Sequence, residues 1–181
     1  MARLPYVDPE AMPSEVRRVY DRLPVKLNIF RMTAHAETCF RNLVALGGDI
    51  LTQQQLPAKL RELTILRVAA LSRSSYEWEQ HVAIGKLAGI GEAEIQALGR
   101  GDVEAPCFDD KERLMLRFTT ELVRDVRVSD ETFERAKAHF SPREIVELVL
   151  TGGYYMMIAR LLETTAVDAD ELRLAGAPNS R

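Results

Sequence analysis

The sequence predicts an all-α protein, a bundle of about seven helices, and three observations carry that reading. Apolar residues recur at three- and four-residue spacing along almost the whole chain, the period of an amphipathic helix. No Asn-Gly or Asp-Gly pair sits between alternating apolar runs, so the hairpin signals of a sheet are missing. Glycine, proline and short polar clusters fall where such helices have to stop. With 181 residues, 46% of them hydrophobic and 28% charged, the chain has material for one core. It reads as a single domain over residues 1–181, with an N-terminal arm to about residue 13 and a polar C-terminal tail from about residue 169 that has no evident packing role.

Taken in order, Pro5, Pro9 and Pro13 make the arm extended, and Ser14 to Arg22 form a short helix stopped before Pro24. A longer helix is expected over about Phe30 to Leu46, ending at Gly47-Gly48, because paired glycines suit the left-handed turn that closes a helix. Pro57 then opens the apolar segment that runs to Arg73, a buried helix interrupted over Ser72 to Ser75. The next helix runs from Ser75 to about Ala88 and stops at Gly89, and a short one follows over about Glu92 to Leu98. Gly99 to Phe108, with Gly101 and Pro106, reads as a loop separating two halves. Asp109-x-x-Glu112 and Ser141-Pro142-x-Glu144 are helix starts of the reciprocal capping type, with helices expected over about Lys111 to Arg124, Asp130 to His139 and Pro142 to Glu163. Gly152-Gly153 interrupts the last of these without breaking its periodicity. Each glycine costs roughly 1 kcal/mol against alanine there, so a close helix contact is the expected reason for it.

Composition removes several function classes. The net charge is −3 and Lys and Arg are scattered, so neither nucleic acid nor an anionic membrane surface is an expected partner. Cys39 and Cys107 are far apart, which leaves no disulfide framework and no CxxC redox or metal pair. No N-terminal apolar run and no uninterrupted stretch of about 18 apolar residues is present, and the expected location is cytoplasmic. HExxH, P-loop, GxGxxG and GxSxG motifs are all missing.

The chemistry is concentrated between Glu62 and His81. On a wheel of about 100° per residue, Glu62 falls in one arc with Leu63, Leu66, Ala69 and Ala70, inside the apolar face. Its neighbours three and four positions on are Ile65 and Leu66, so no helical ion pair accounts for a carboxylate there. Glu77 and His81 share the apolar face of the following helix at i and i+4, a spacing at which their side chains can meet and exchange protons. Ordinary uses compete with this one. Ser74-x-x-Glu77 is itself a capping box, in which Glu77 would reach back to the Ser74 amide. His81 could be a satisfied core residue, and Glu62 could pair with an arginine such as Arg160. Tyr76, Trp78 and Tyr154 either line a cavity or pack in the core. His35 and His139 lack ligand spacing, and two possible ligands, Glu77 and His81, fall short of the three or four a metal site uses. No cofactor is expected.

The run Arg61-Glu62-Leu63, Ile65-Leu66-Arg67-Val68-Ala69, Tyr76-Glu77-Trp78-Glu79-Gln80-His81 and Ala88-Gly89-Ile90 resembles the core of the carboxymuconolactone decarboxylase and alkylhydroperoxidase D-like family. Gly153-Tyr154-Tyr155-Met156-Met157-Ile158-Ala159-Arg160 is similar to that family's second characteristic helix. Peroxidase members carry a CxxC pair at the helix break, an upstream glutamate and a histidine four residues beyond the second cysteine. By position, Glu62 matches the glutamate and His81 the histidine, while Ser74 and Glu77 stand where the cysteines would be. Without thiols, the dithiol peroxidase chemistry is not expected.

The resemblance to the decarboxylase side of the family implies cofactor-independent lyase or isomerase chemistry on a small carboxylated or lactone-like acid. On that basis His81 would deliver the proton to carbon, Glu77 would orient and recharge the ring, and Glu62 would be a second acceptor. Tyr76, Trp78 and Tyr154 would shape the cavity. Family members associate as trimers, hexamers or dimers, so a homo-oligomer is expected. An antioxidant protein and a non-catalytic binder of small molecules on the same fold are the alternatives.

Overall fold

A short 3₁₀ turn at Pro9–Ala11 opens the chain in the computed structural model, which describes residues 1–170. Nine α-helices follow among these residues, and no strand: α1 Ser14–Asp21, α2 Asn28–Thr33, α3 Glu37–Thr52, α4 Ala58–Ser72, α5 Ser75–Leu87, α6 Glu92–Gly99, α7 Asp110–Asp125, α8 Asp130–His139 and α9 Pro142–Thr165. The helical class is as the periodicity predicts, and most boundaries fall within a residue or two of the expected ones. The exception is the expected helix over 30–46, which is two helices. Thr33 bonds back to the Ile29 carbonyl at 2.8 Å, and His35 leaves the helical path to donate from Nε2 to the Pro5 carbonyl at 2.7 Å. Beyond that break α3 runs straight through Gly47-Gly48 to Thr52.

The chain divides into two compact units, Asn42–Thr164 and the remainder. In the remainder, the arm is tied to the segment after α9. Arg3 N–H donates to the Thr165 carbonyl at 2.8 Å, and the Asp168 carboxylate accepts from Ala2 N–H at 3.1 Å and the Tyr6 hydroxyl at 3.0 Å. Asp170 accepts from Asn28 N–H at 2.9 Å. Asp170, within the expected tail, therefore does have a packing role, contrary to expectation, while the tail from residue 171 lies outside the described residues.

In the larger unit α4 is the central element. Leu63, Ile65, Leu66, Val68 and Ala69 are all fully buried, as a helix that is apolar on most of its circumference must be. Contacts advancing together show α4 and α7 parallel: Lys59 pairs with Glu112 at 2.5 Å, Thr64 Oγ1 lies 3.0 Å from Met115 Sδ, and Arg67 Nε donates to Thr120 Oγ1 at 2.9 Å. Leu63 and Leu66 join Leu98, Phe108, Met115, Leu116, Phe118 and Leu148 in the main core, each contributing about 1.5–3 kcal/mol by burial. Residues 99–108, expected to separate two halves, lie inside this unit, with Ala105 and Phe108 buried in the same core.

The helix starts behave as their sequences dictate. Asp109 accepts from Glu112 N–H at 2.8 Å while its own N–H donates to the Glu112 carboxylate at 2.9 Å, and Ser141 and Glu144 repeat the exchange at 3.2 and 2.7 Å. Helix α9 is long and apolar enough to cross a membrane by composition, with a mean hydropathy of 1.4 in an 18-residue window, and 44% of that window is buried within the molecule. Gly152 provides the close contact expected of the pair: a Cβ there would lie 2.8 Å from Leu122 Cδ2 on α7. Gly153 meets nothing within 4 Å.

Candidate functional site

The break between α4 and α5 is two residues long, Arg73 and Ser74. Arg73 takes a left-handed conformation at φ +55°, and Ser74 N–H bonds to the Ala69 carbonyl at 2.9 Å. The turn brings the start of α5 back along α4. Glu62, fully buried, then finds two partners. Arg61 Nε donates to Oε1 at 3.1 Å, and His81 Nδ1 donates to Oε2 at 2.8 Å. The first partner is its chain neighbour rather than Arg160, which donates instead to the Met156 carbonyl of its own helix at 2.8 Å.

A carboxylate can only accept, so this bond assigns the proton to Nδ1 of His81 and leaves Nε2 as the working edge of the ring. The His81 residue is 7% exposed and does not face bulk solvent. Tyr155 packs against it in a T-shaped pair, with centroids 4.9 Å apart and planes at 89°. Tyr154 meets Tyr155 at 5.4 Å and donates its hydroxyl to the Leu43 carbonyl at 3.1 Å. Gly47 makes room for this: a methyl group at that position would collide with the Tyr154 hydroxyl, which is why α3 carries a glycine in mid-helix.

Glu77 is the unusual member. It is 2% exposed, and neither of its carboxyl oxygens has a hydrogen-bond partner among the described residues. The Ser74 hydroxyl, equally buried, has none either. The capping box that Ser74-x-x-Glu77 could form is thus not made, and Glu77 does not hold the imidazole, a role that Glu62 has taken. Burial pushes the Glu77 carboxyl up to about 8, with the Glu163 charge adding to the effect. Burial and the Glu77 charge raise Tyr154 to about 12. Tyr155 is held well above its ordinary value by burial and then by Glu62, Tyr154 and Glu77, which places both carboxyls within electrostatic reach of one phenol.

Of the three residues expected to shape a cavity, Tyr154 stands with this group. Tyr76 is buried at 7% exposure, and Trp78 packs into the main core, where a Cβ on Gly99 would lie 3.6 Å from its ring. Arg61 was not among the expected site residues, and Tyr155, readable with Tyr154 as either pocket wall or packing, had no expected role there. Arg61 is adjacent to Glu62 in sequence, so helical i+3 and i+4 reasoning does not reach it. Tyr155 touches His81 across a separation of 74 positions that no local pattern encodes.

Cys107 packs against the main core rather than this cluster, and Cys39 is exposed. Among the described residues no group of three His, Cys, Asp or Glu side chains is arranged to hold a metal ion. The assembled chemistry is one imidazole with a fixed tautomer, one carboxyl that keeps its proton at neutral pH, and an unpartnered hydroxyl, all in an apolar, aromatic setting. Such a set can take up, hold and deliver protons.

Comparison with known proteins places the fold. Residues 38–121 match the model of the carboxymuconolactone decarboxylase family. The fold is that of a peroxidase-related protein with an alkylhydroperoxidase AhpD core from Ralstonia eutropha, at 20% identity and a TM-score of 0.80 over 94% of this chain and 93% of that one. A peroxidase-related protein from a Silicibacter species is similar, at 22% identity and a TM-score of 0.77 over 93% and 92% of the two chains. The debrominase Bmp8, in a complex with 2,3,4-tribromopyrrole, matches at 11% identity and a TM-score of 0.77 over 94% of each chain. At these identities the likeness is one of fold. Among curated proteins none matches the sequence.

Proposed function

We propose that this chain, whose residues 38–121 match the carboxymuconolactone decarboxylase family, is a cofactor-independent lyase or isomerase of small carboxylated or lactone-like acids. One observation carries the reading: the Glu62–His81 hydrogen bond at 2.8 Å lies on the same helix pair as a buried, unpartnered Glu77 that keeps its proton to about pH 8. A protein that needed these groups only for stability would have paired Glu77 or replaced it, because an unsatisfied buried carboxyl costs about 1–3 kcal/mol.

In a decarboxylation the bond to the departing carboxylate breaks, carbon dioxide leaves, and the electron pair passes into an enol or dienol system that must be protonated at carbon. His81, as an imidazolium carrying a proton on Nε2 as well as on Nδ1, delivers the Nε2 proton to that carbon and returns to the neutral Nδ1–H form, which solvent reprotonates before the next turnover. Glu62 holds Nδ1 and balances the charge of the cation. Glu77, neutral, donates its O–H to the oxygen on which negative charge develops, with the hydroxyl of Ser74, three residues earlier at the start of α5, as a second donor. The division of labour thus differs from the expectation that Glu77 orients the ring. In the isomerase version the same groups return the proton at a different carbon.

The dithiol peroxidase alternative has less support, since Ser74 and Glu77 hold the two cysteine positions. The test is carbon dioxide release, and proton exchange into recovered substrate from deuterated water, across a panel of carboxylated lactones and β-keto acids. Turnover that His81→Ala abolishes supports the proposal. No release and no exchange across both classes defeats it.

A further inference from the structure

Arg67 lies outside the Glu62–His81 cluster, and the proposed reaction does not use it. It is only 4% exposed, on the face of α4 that meets α7. A guanidinium stays charged at any physiological pH, so burying one without an anion costs several kcal/mol unless something compensates it. Its one partner among the described residues is neutral: Nε donates to Thr120 Oγ1 at 2.9 Å. Thr120 in turn donates its own hydrogen to the Leu116 carbonyl at 2.6 Å, which turns the hydroxyl oxygen toward the guanidinium as an acceptor. The fork is thereby fixed along its Nε edge, and among the described residues the two Nη groups have no acceptor while remaining open to solvent and its ions.

The surroundings make this harder to explain as a structural ion pair. One turn beyond Thr120, α7 presents Arg124, a second guanidinium, and no carboxylate among the described residues pairs with either arginine. Burial and the Arg124 charge both act against the Arg67 cation. The nearby acid on α7, Glu121, is committed elsewhere. It accepts from Arg117 at 3.0 Å, Ser129 N–H at 2.8 Å and the Thr132 hydroxyl at 2.7 Å.

We propose that Arg67 and Arg124, with Thr120 as the positioning residue, form a second site that binds a small oxyanion, the group shared by phosphate and carboxylate ligands. A planar guanidinium with both Nη groups free matches two oxygens of such an anion, and the exposed Arg124 closes over it from the solvent side. No bond is made or broken there; the anion supplies the charge that the fold leaves uncompensated.

The experiment uses the full chain, with thermal unfolding and titration calorimetry in sodium phosphate, in sodium acetate and in sodium chloride at matched ionic strength. The expected result is a rise in Tm, saturating with phosphate, acetate or both, that chloride does not reproduce. A response to phosphate alone assigns the site to phosphate groups, and a response to acetate extends it to carboxylates. Arg124→Gln, at an exposed position, should weaken the titrated affinity about tenfold or more, and Arg67→Gln should abolish it while leaving the anion-free protein no less stable than the parent. If neither anion differs from chloride, or Arg124→Gln responds as the parent does, the site does not exist. Should Arg67→Gln fail to fold, the Arg124→Gln titration decides alone. These readouts involve no turnover, so they stand or fall separately from the lyase proposal.

Discussion

His81 Nδ1 lies 2.8 Å from Glu62 Oε2 on the neighbouring helix, not on the carboxyl of Glu77 one turn away on its own. That single pairing assigns the roles. On the proposed reading, Glu62 holds the ring, Nε2 of His81 is available to substrate, and Glu77 is released to act as a neutral acid.

His81→Ala should lower turnover by about 10²–10⁴-fold, the usual contribution of a positioned acid or base. Glu62→Gln should cost less, roughly 10–10²-fold, because the ring is kept while its orientation and counter-charge are lost. Rates on any substrate found by the carbon dioxide screen check this, with circular dichroism confirming that both variants fold. Equal rates for all three proteins would remove the dyad from the mechanism.

Glu77 ties stability to pH. Its folded-state value of about 8 is above the unfolded value near 4.5, so the folded protein holds this proton more tightly. Stability from this group is intact below about 4.5, falls as pH rises through the interval to about 8, and stays lower above it, a loss on the order of 4–5 kcal/mol as an upper figure. Glu77→Gln should match the parent near pH 5 and exceed it near pH 9. Urea unfolding of both proteins across that range gives the comparison, and parallel curves would show that Glu77 does not titrate as described.

The same proton predicts an activity profile. If Glu77 donates to the developing charge, turnover by the parent should decline above about pH 8 as the donor is lost. In Glu77→Gln, whose amide keeps a donor but cannot ionise, that limb should be missing from the profile. A limb unchanged by the substitution belongs to another group.

The paired glycines of α9 should separate. Gly152→Ala drives a Cβ to 2.8 Å from Leu122 Cδ2 and should destabilise by about 1–3 kcal/mol, while Gly153→Ala meets nothing and should stabilise by about 0.5–1 kcal/mol through helix propensity. Gly47→Ala, against the Tyr154 hydroxyl, should behave like Gly152→Ala. Melting temperatures of the three variants rank them directly, and a stabilising Gly152→Ala would contradict the packing described.

Replacing both cysteines, Cys39→Ser and Cys107→Ser, should leave turnover within about twofold, since neither thiol has a part in the proton chemistry. Peroxide consumption by the parent that disappears in this double variant would restore the antioxidant reading.

How much of this was legible in the chain follows from the range over which each interaction acts. The 3.6-residue period, Pro57 and Pro142 at helix starts, Gly89 at a helix end and the Asp109–Glu112 box are local, so the order of helices α4 to α9 and the burial of Glu62 could be read without coordinates. The partners of the buried polar groups could not. Glu77 and His81 are correctly spaced to bond on one helix, yet the tight turn at Arg73 brings Glu62 within reach first, and a cross-helix carboxylate displaced the local one. Likewise Ser74-x-x-Glu77 spells a capping box that the structure leaves unmade, Trp78 falls on the core side of α5, and Tyr155 arrives from α9. Periodicity dictates which face of a helix is buried, because burial depends on position around one axis; which side chains meet there depends on how several axes cross, and only the packed tertiary structure decides that.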